Sequence, residues 1–130
     1  MGEDEQFPRA LGDQEAAVLD WLLAQTFLDA QRLRAQAGSV VAAGRCPCGC
    51  ASIHLDVEHT PGLAARPPSP VPVQPQIMGD DGQPVGGVLL FLQDGWLSYL
   101  EVYSYDEPIP WFPSTDRLDL EPVRGDNGGS

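Results

Sequence analysis

No lysine occurs in the 130-residue chain, and asparagine occurs once. Histidine is limited to His54 and His59, and cysteine to Cys46, Cys48 and Cys50. Seven basic residues, all arginine, stand against 19 acidic ones, a formal net charge of −12. Phosphate repels such a surface and no basic cluster offsets it, which argues against nucleic acid or an anionic membrane as partner. Two histidines in one short region leave little general-base capacity. The chain has no Gly-x-Ser-x-Gly, phosphate loop, dinucleotide fingerprint or His-Glu-x-x-His, so the reading leans away from an enzyme. An odd number of cysteines argues against a secreted disulfide framework. Apolar runs fall far short of the roughly 20 residues of a membrane helix. The N-terminus is acidic where a secretory leader is basic and then apolar, so the expected location is cytoplasmic. Arginine without lysine, beside abundant Ala, Gly and Pro, is the codon bias of a GC-rich genome and says nothing about chemistry.

What is present centres on residues 86–105. Two β-prone runs flank Asp94-Gly95, the dipeptide suited to a type I′ turn. A two-residue turn pairs Gln93 with Trp96, Leu92 with Leu97, Leu90 with Tyr99 and Val88 with Glu101. One face then carries Leu89, Phe91, Trp96, Leu100 and Val102. The other carries Val88, Leu90, Leu92, Leu97, Tyr99, Glu101, Tyr103 and Tyr105. Nearly every position is apolar or aromatic, so the pair is expected at the sheet centre, covered at least in part on both sides.

Ahead of the hairpin, residues 1–9 are expected as a disordered acidic arm and 121–130 as a disordered tail, around a single domain at 10–120. Asp13 is a candidate N-cap for a helix over about 13–25, with a stripe of Ala16, Leu19, Leu22 and Leu23. A break near Phe27 and a second cap at Asp29 split off a second helix that stops at Gly38. Strands follow at 39–44 and 51–58. Residues 59–70 are rich in Pro and Gly and are expected as a surface loop. Residues 71–78 alternate, but Pro72 and Pro75 cannot donate to a ladder, so the expectation is an edge strand. Ile109, Trp111 and Phe112 should lay residues 106–113 back across the sheet, since free in water they would be an apolar liability. The fold class is α+β: one N-terminal helix or a helix pair on one face of an antiparallel sheet of about five strands. Its core should form where Leu19, Leu22 and Leu23 meet the Phe91, Trp96, Leu100 and Val102 face.

Two sets of residues are candidates for function. Tyr99, Glu101, Tyr103 and Tyr105 share a strand face, where a carboxylate among tyrosines can take a cation or a partner's arginine. The structural alternative is an outer sheet face shielded by residues 106–113, with Glu101 bonded to a neighbouring hydroxyl. Cys46, Cys48 and Cys50 alternate in a Pro/Gly turn, and with His54 they can supply four zinc ligands. Against that, the sulfur comes from one short stretch without a second knuckle, and cysteines also serve as small soft fillers of a tight turn. A Cys-x-Cys redox couple lacks evident neighbours to lower a thiol pKa, Arg45 apart. The acidity and the tyrosine-carboxylate face favour a non-enzymatic interaction protein, an inhibitor, immunity-type protein or accessory subunit, that binds a basic partner. A surface kept acidic for solubility alone is the plainer account.

The string from Phe27-Leu-Asp-Ala through Leu33-Arg-Ala-Gln, then Cys48-Gly-Cys50-Ala-Ser, then 97–105, resembles a group of small uncharacterised actinobacterial proteins. The resemblance would span most of residues 13–120. It implies a common fold and carries no activity, ligand or catalytic residue.

Overall fold

The structure, a computed structural model, describes residues 6–45, 47 and 50–120. Helix α1, Asp13–Leu23, has its N-cap at Gly12 rather than Asp13. Glu15 makes the difference, because its carboxylate accepts the Gly12 N–H at 2.7 Å from the third helical position, the side-chain half of a capping box. Helix α2, Ala30–Gln36, is separate from α1. Asp29 sits at its N-cap position with a left-handed φ of 61°. Its carboxylate leaves the helix and instead accepts the Arg66 N–H and Nε–H at 3.1 and 3.2 Å. Arg34 reaches back to the Leu23 carbonyl at 2.6 Å, satisfying one of the orphan acceptors at the end of α1.

Six strands form one antiparallel sheet: β1 Val41–Arg45, β2 Ile53–Asp56, β3 Gln76–Met78, β4 Pro84–Gln93, β5 Trp96–Ser104 and β6 Leu118–Asp119. Their spatial order is β1-β2-β5-β4-β3-β6, so the hairpin β4–β5 is central. The architecture is α+β. Strand β3 is an interior strand, not an edge, because β6 pairs along its other side. The prolines still confine its ladder to 76–78. Pro75 keeps only its acceptor role and takes the Val88 N–H at 3.1 Å. At the opposite edge Arg9 exchanges both backbone hydrogen bonds with Ala42, at 3.0 and 2.8 Å. Residues 6–9 therefore belong to the fold rather than to an arm, whose remainder, 1–5, lies outside the described residues, as does 121–130.

Asp94 and Gly95 both have positive φ, 54° and 92°, the type I′ geometry, and the pairs Gln93–Trp96 and Leu92–Leu97 form. Beyond them the register departs from expectation. Ser98 is an extra residue on β5, and from there Phe91 pairs with Tyr99, Leu90 with Leu100 and Val88 with Val102. The bulge turns Leu97 and Leu100, three apart, to the same buried side, which an unbroken strand forbids. It also moves β4 by one face: Val88 and Leu90 enter the core, while Leu89 and Phe91 join Tyr99 and Glu101.

The core lies between the helices and one side of the sheet. Val18, Leu19, Leu22, Leu23 and Leu33 meet Ile53, Val88, Leu90, Leu100 and Val102, all at 1% exposure or less. Each such side chain contributes roughly 1.5–3 kcal/mol. Trp96 and Phe91 are half-buried and sit outside this set. Gln36, 1% exposed, stitches α2 to the hairpin turn: its Nε2 donates to the Leu63 and Gly95 carbonyls and its Oε1 accepts the Leu97 N–H. The loop over 59–70 is partly interior, since Ala65 is buried and its N–H bonds the Gly95 carbonyl at 2.9 Å. Among the described residues no helix is long and apolar enough to cross a membrane.

Candidate functional site

The second face of the sheet is built by strand alternation. With Leu100 and Val102 turned to the helices, Tyr99, Glu101 and Tyr103 turn away from them. Antiparallel partners share a face, so Phe91 stands beside Tyr99, Leu89 beside Glu101 and Gly87 beside Tyr103 on β4. On the other flank His54 of β2 pairs with Tyr99, with ring centroids 4.7 Å apart. Phe91 and Tyr99 lie at 6.0 Å.

Residues 106–113 do not cover this face. They pass to the helix side, where Ile109 accepts the Ala51 N–H at 2.9 Å, Pro113 accepts from Gln14 at 2.7 Å and Phe112 enters the core. The physical reason is Phe112, whose ring gains more inside the apolar core than on a tyrosine surface already wetted by hydroxyls. Only the start of the segment touches the face: Pro108 and Asp106 close a small cleft of about 230 Å³ with Cys50, Glu101, Tyr103 and Ser104.

Tyr103 owes its pose to glycine. A Cβ on Gly87 would lie 2.3 Å from the Tyr103 hydroxyl and 2.5 Å from its Cζ, so the ring lies across the bare backbone of β4. Tyr105 meets it edge-on at 5.8 Å and is itself held by Gln76, whose Nε2 donates to the Tyr105 hydroxyl at 2.8 Å. Burial first, then a hydrogen bond with Tyr105 and the charges of Tyr105 and Glu101, push the Tyr103 phenol up to about 12. Glu101 is half-buried, and among the described residues its carboxylate makes no hydrogen bond or ion pair; the expected bond to a neighbouring hydroxyl is not there.

No protein-family model, curated protein or solved structure matches the chain. The chemistry of the face therefore stands on its own residues.

The four residues read from the sequence as one face, Tyr99, Glu101, Tyr103 and Tyr105, are together. Phe91 and Leu89 belong with them and were missed, because the bulge at Ser98 was not foreseen; His54, read from the sequence only as a metal ligand, joins them because β2 pairs with β5. A polar serine inside an apolar run was the one sign of it. Cys46 and Cys48 lie outside the described residues. Cys50 donates its thiol proton to Ser52 at 3.2 Å and opens on the Glu101 cleft, whereas His54 packs on Tyr99. Among the described residues no three His, Cys, Asp or Glu side chains are grouped to hold a metal ion.

Two other depressions lack convergent chemistry. The largest, about 650 Å³ at the α1–α2 connection, is lined by Gln25, Thr26, Phe27 and Gln31 among others, with Asp29 already engaged by Arg66. A cleft of about 370 Å³ beside the hairpin turn holds His59 stacked flat on Trp96, centroids 4.2 Å apart, near Asp56 and Asp94.

Proposed function

We propose that the protein is a non-enzymatic interaction module whose open sheet face receives a basic partner protein, in the manner of an inhibitor, an immunity-type protein or an accessory subunit. The observation that carries this reading is that residues 106–113 turn to the helix side instead of lying over this face. A central sheet surface rich in aromatic rings, with Glu101 at its middle, is left half-buried while Phe112 of that segment closes the core elsewhere. Tyrosine gives large contact area at low entropic cost and is enriched at interfaces. The net charge of −12 sets the sign of the partner and speeds the encounter. The setting is the cytoplasm, where thiols stay reduced.

The test is affinity capture on immobilised protein, run side by side with the Tyr99→Ala/Glu101→Gln double variant and with Trp111→Ala. Trp111 is 68% exposed and lies off this face, so it serves as the control. The expected result is a basic protein that is released by raised salt, lost with the double variant and retained with Trp111→Ala. Capture that the double variant leaves unchanged overturns the reading.

A further inference from the structure

We propose that the open face selects arginine over lysine, taking a guanidinium on Glu101 between the rings of Tyr99 and Tyr103. The inference rests on the basic-partner reading and names the side chain that the face recognises. Three observations carry it.

The first is a carboxylate left without an ion pair among the described residues. Arg9 binds Glu15, Arg66 and Arg32 approach Asp29, Arg34 bonds the Leu23 carbonyl, and Arg117 pairs with Asp80. Glu101 is half-buried among rings, and none of these five arginines supplies it with a positive charge.

The second is spacing. Alternate residues on a strand stand about 6.7 Å apart along one face, so Tyr99 and Tyr103 bracket Glu101 at equal intervals. A cation paired with that carboxylate falls within the roughly 6 Å reach of a cation–π contact to a ring on either side. Leu89, directly opposite Glu101 on β4, offers an apolar bed for the aliphatic stem of the incoming residue.

The third is shape. Tyr103 lies flat over Gly87 and Tyr99 is steadied between His54 and Phe91, so the rings are set before a ligand arrives. A guanidinium is planar, weakly hydrated and able to pair bidentately with a carboxylate while stacking on a ring. An ammonium is compact and strongly hydrated, and gains less from the same site.

Fluorescently labelled hexa-arginine and hexa-lysine of equal charge, titrated by anisotropy at physiological salt, test this. The wild-type chain should bind the arginine peptide about fivefold more tightly. Glu101→Gln and Tyr99→Leu should each abolish that preference, whereas Asp20→Asn, an exposed residue of α1, should leave it intact. Thermal melts confirm that each variant is folded, and since Tyr99 and Glu101 are only half-buried, at least one of the two is available for the comparison. Equal affinity for the two peptides, or a preference that survives Glu101→Gln, overturns arginine selection and leaves the basic-partner reading standing. Binding of neither peptide overturns both.

Discussion

The fold holds the protons of Glu15 and Tyr103 away from their ordinary range, in opposite senses. Glu15 is only 9% exposed, and burial alone would raise its carboxyl. Hydrogen bonds from Arg9 at 2.8 and 3.0 Å and from the Gly12 N–H, with the charges of Arg9 and Arg45, outweigh burial and hold it below its usual 4.5. A folded-state pKa below the unfolded one contributes stability that is present above about pH 4.5 and lost as pH falls through the folded value. Melting temperatures followed from pH 7 to pH 3 should fall for the wild type and less steeply for Glu15→Gln, which at neutral pH should cost about 1–3 kcal/mol. Parallel pH curves for the two would show that the capping carboxylate is not coupled to folding. Tyr103 runs the other way. Its phenol is raised to about 12, so its contribution is complete below pH 10 and is lost as pH rises towards 12. Absorbance titration should show the Tyr103 phenol ionising late, near 12, and Tyr105→Phe should bring that step earlier. The tyrosine-carboxylate site was legible as Tyr99, Glu101 and Tyr103 at period two. The glycine beneath Tyr103 was not, because nothing in Gly86-Gly87 says which ring crosses it.

At the scale of elements, the hairpin was legible at its turn and illegible past it. Asp94-Gly95 dictates the turn type and the first two pairs. From Val88 to Leu92 every residue is apolar, so alternation carries no information about which set faces the helices, and only the turn register was left to decide. One extra residue at Ser98 reversed that decision. The two helices were legible because their stripes are amphipathic, and their break near Phe27 is real. Strand β6 was not legible: two residues, Leu118–Asp119, are too few to leave a period. The bulge gives a direct contrast between neighbours. Leu90 is wholly buried against the helices, and Leu90→Ala should cost about 2–5 kcal/mol. Phe91 stands on the open face, and Phe91→Ser should cost about 1 kcal/mol or less. Denaturant midpoints at constant slope decide it, and the reverse ranking would mean that the hairpin keeps the unbulged register.

For the molecule as a whole, charge acts on folding and on the proposed binding with opposite sign. An excess of twelve negative charges repels itself in the compact state. Opposing it are ion pairs such as Arg66–Asp29 and Arg117–Asp80, in which the arginines are 72% and 42% exposed. Exposed pairs of this kind are worth about 0–1 kcal/mol each and are themselves screened by salt. Long-range repulsion among 19 acids is therefore the larger of the two. Salt shortens the Debye length from about 10 Å at 0.1 M to about 3 Å at 1 M, which removes the repulsion between separated acids while leaving the part-buried Arg9–Glu15 pair largely in place. The melting temperature should accordingly rise when sodium chloride is raised from low to about 0.5 M, approaching a plateau as the Debye length drops below the spacing of surface charges. Over the same range the affinity for a basic partner or an arginine peptide should fall. The two slopes together separate folding from recognition, because a variant that loses binding by unfolding has a lowered melting temperature at low salt that climbs as salt rises. A variant that has lost Glu101 binds weakly at every salt concentration. A wild-type melting temperature that falls with salt would place the local ion pairs above the global repulsion, and the acidity would then be a feature of the fold and not of its partner.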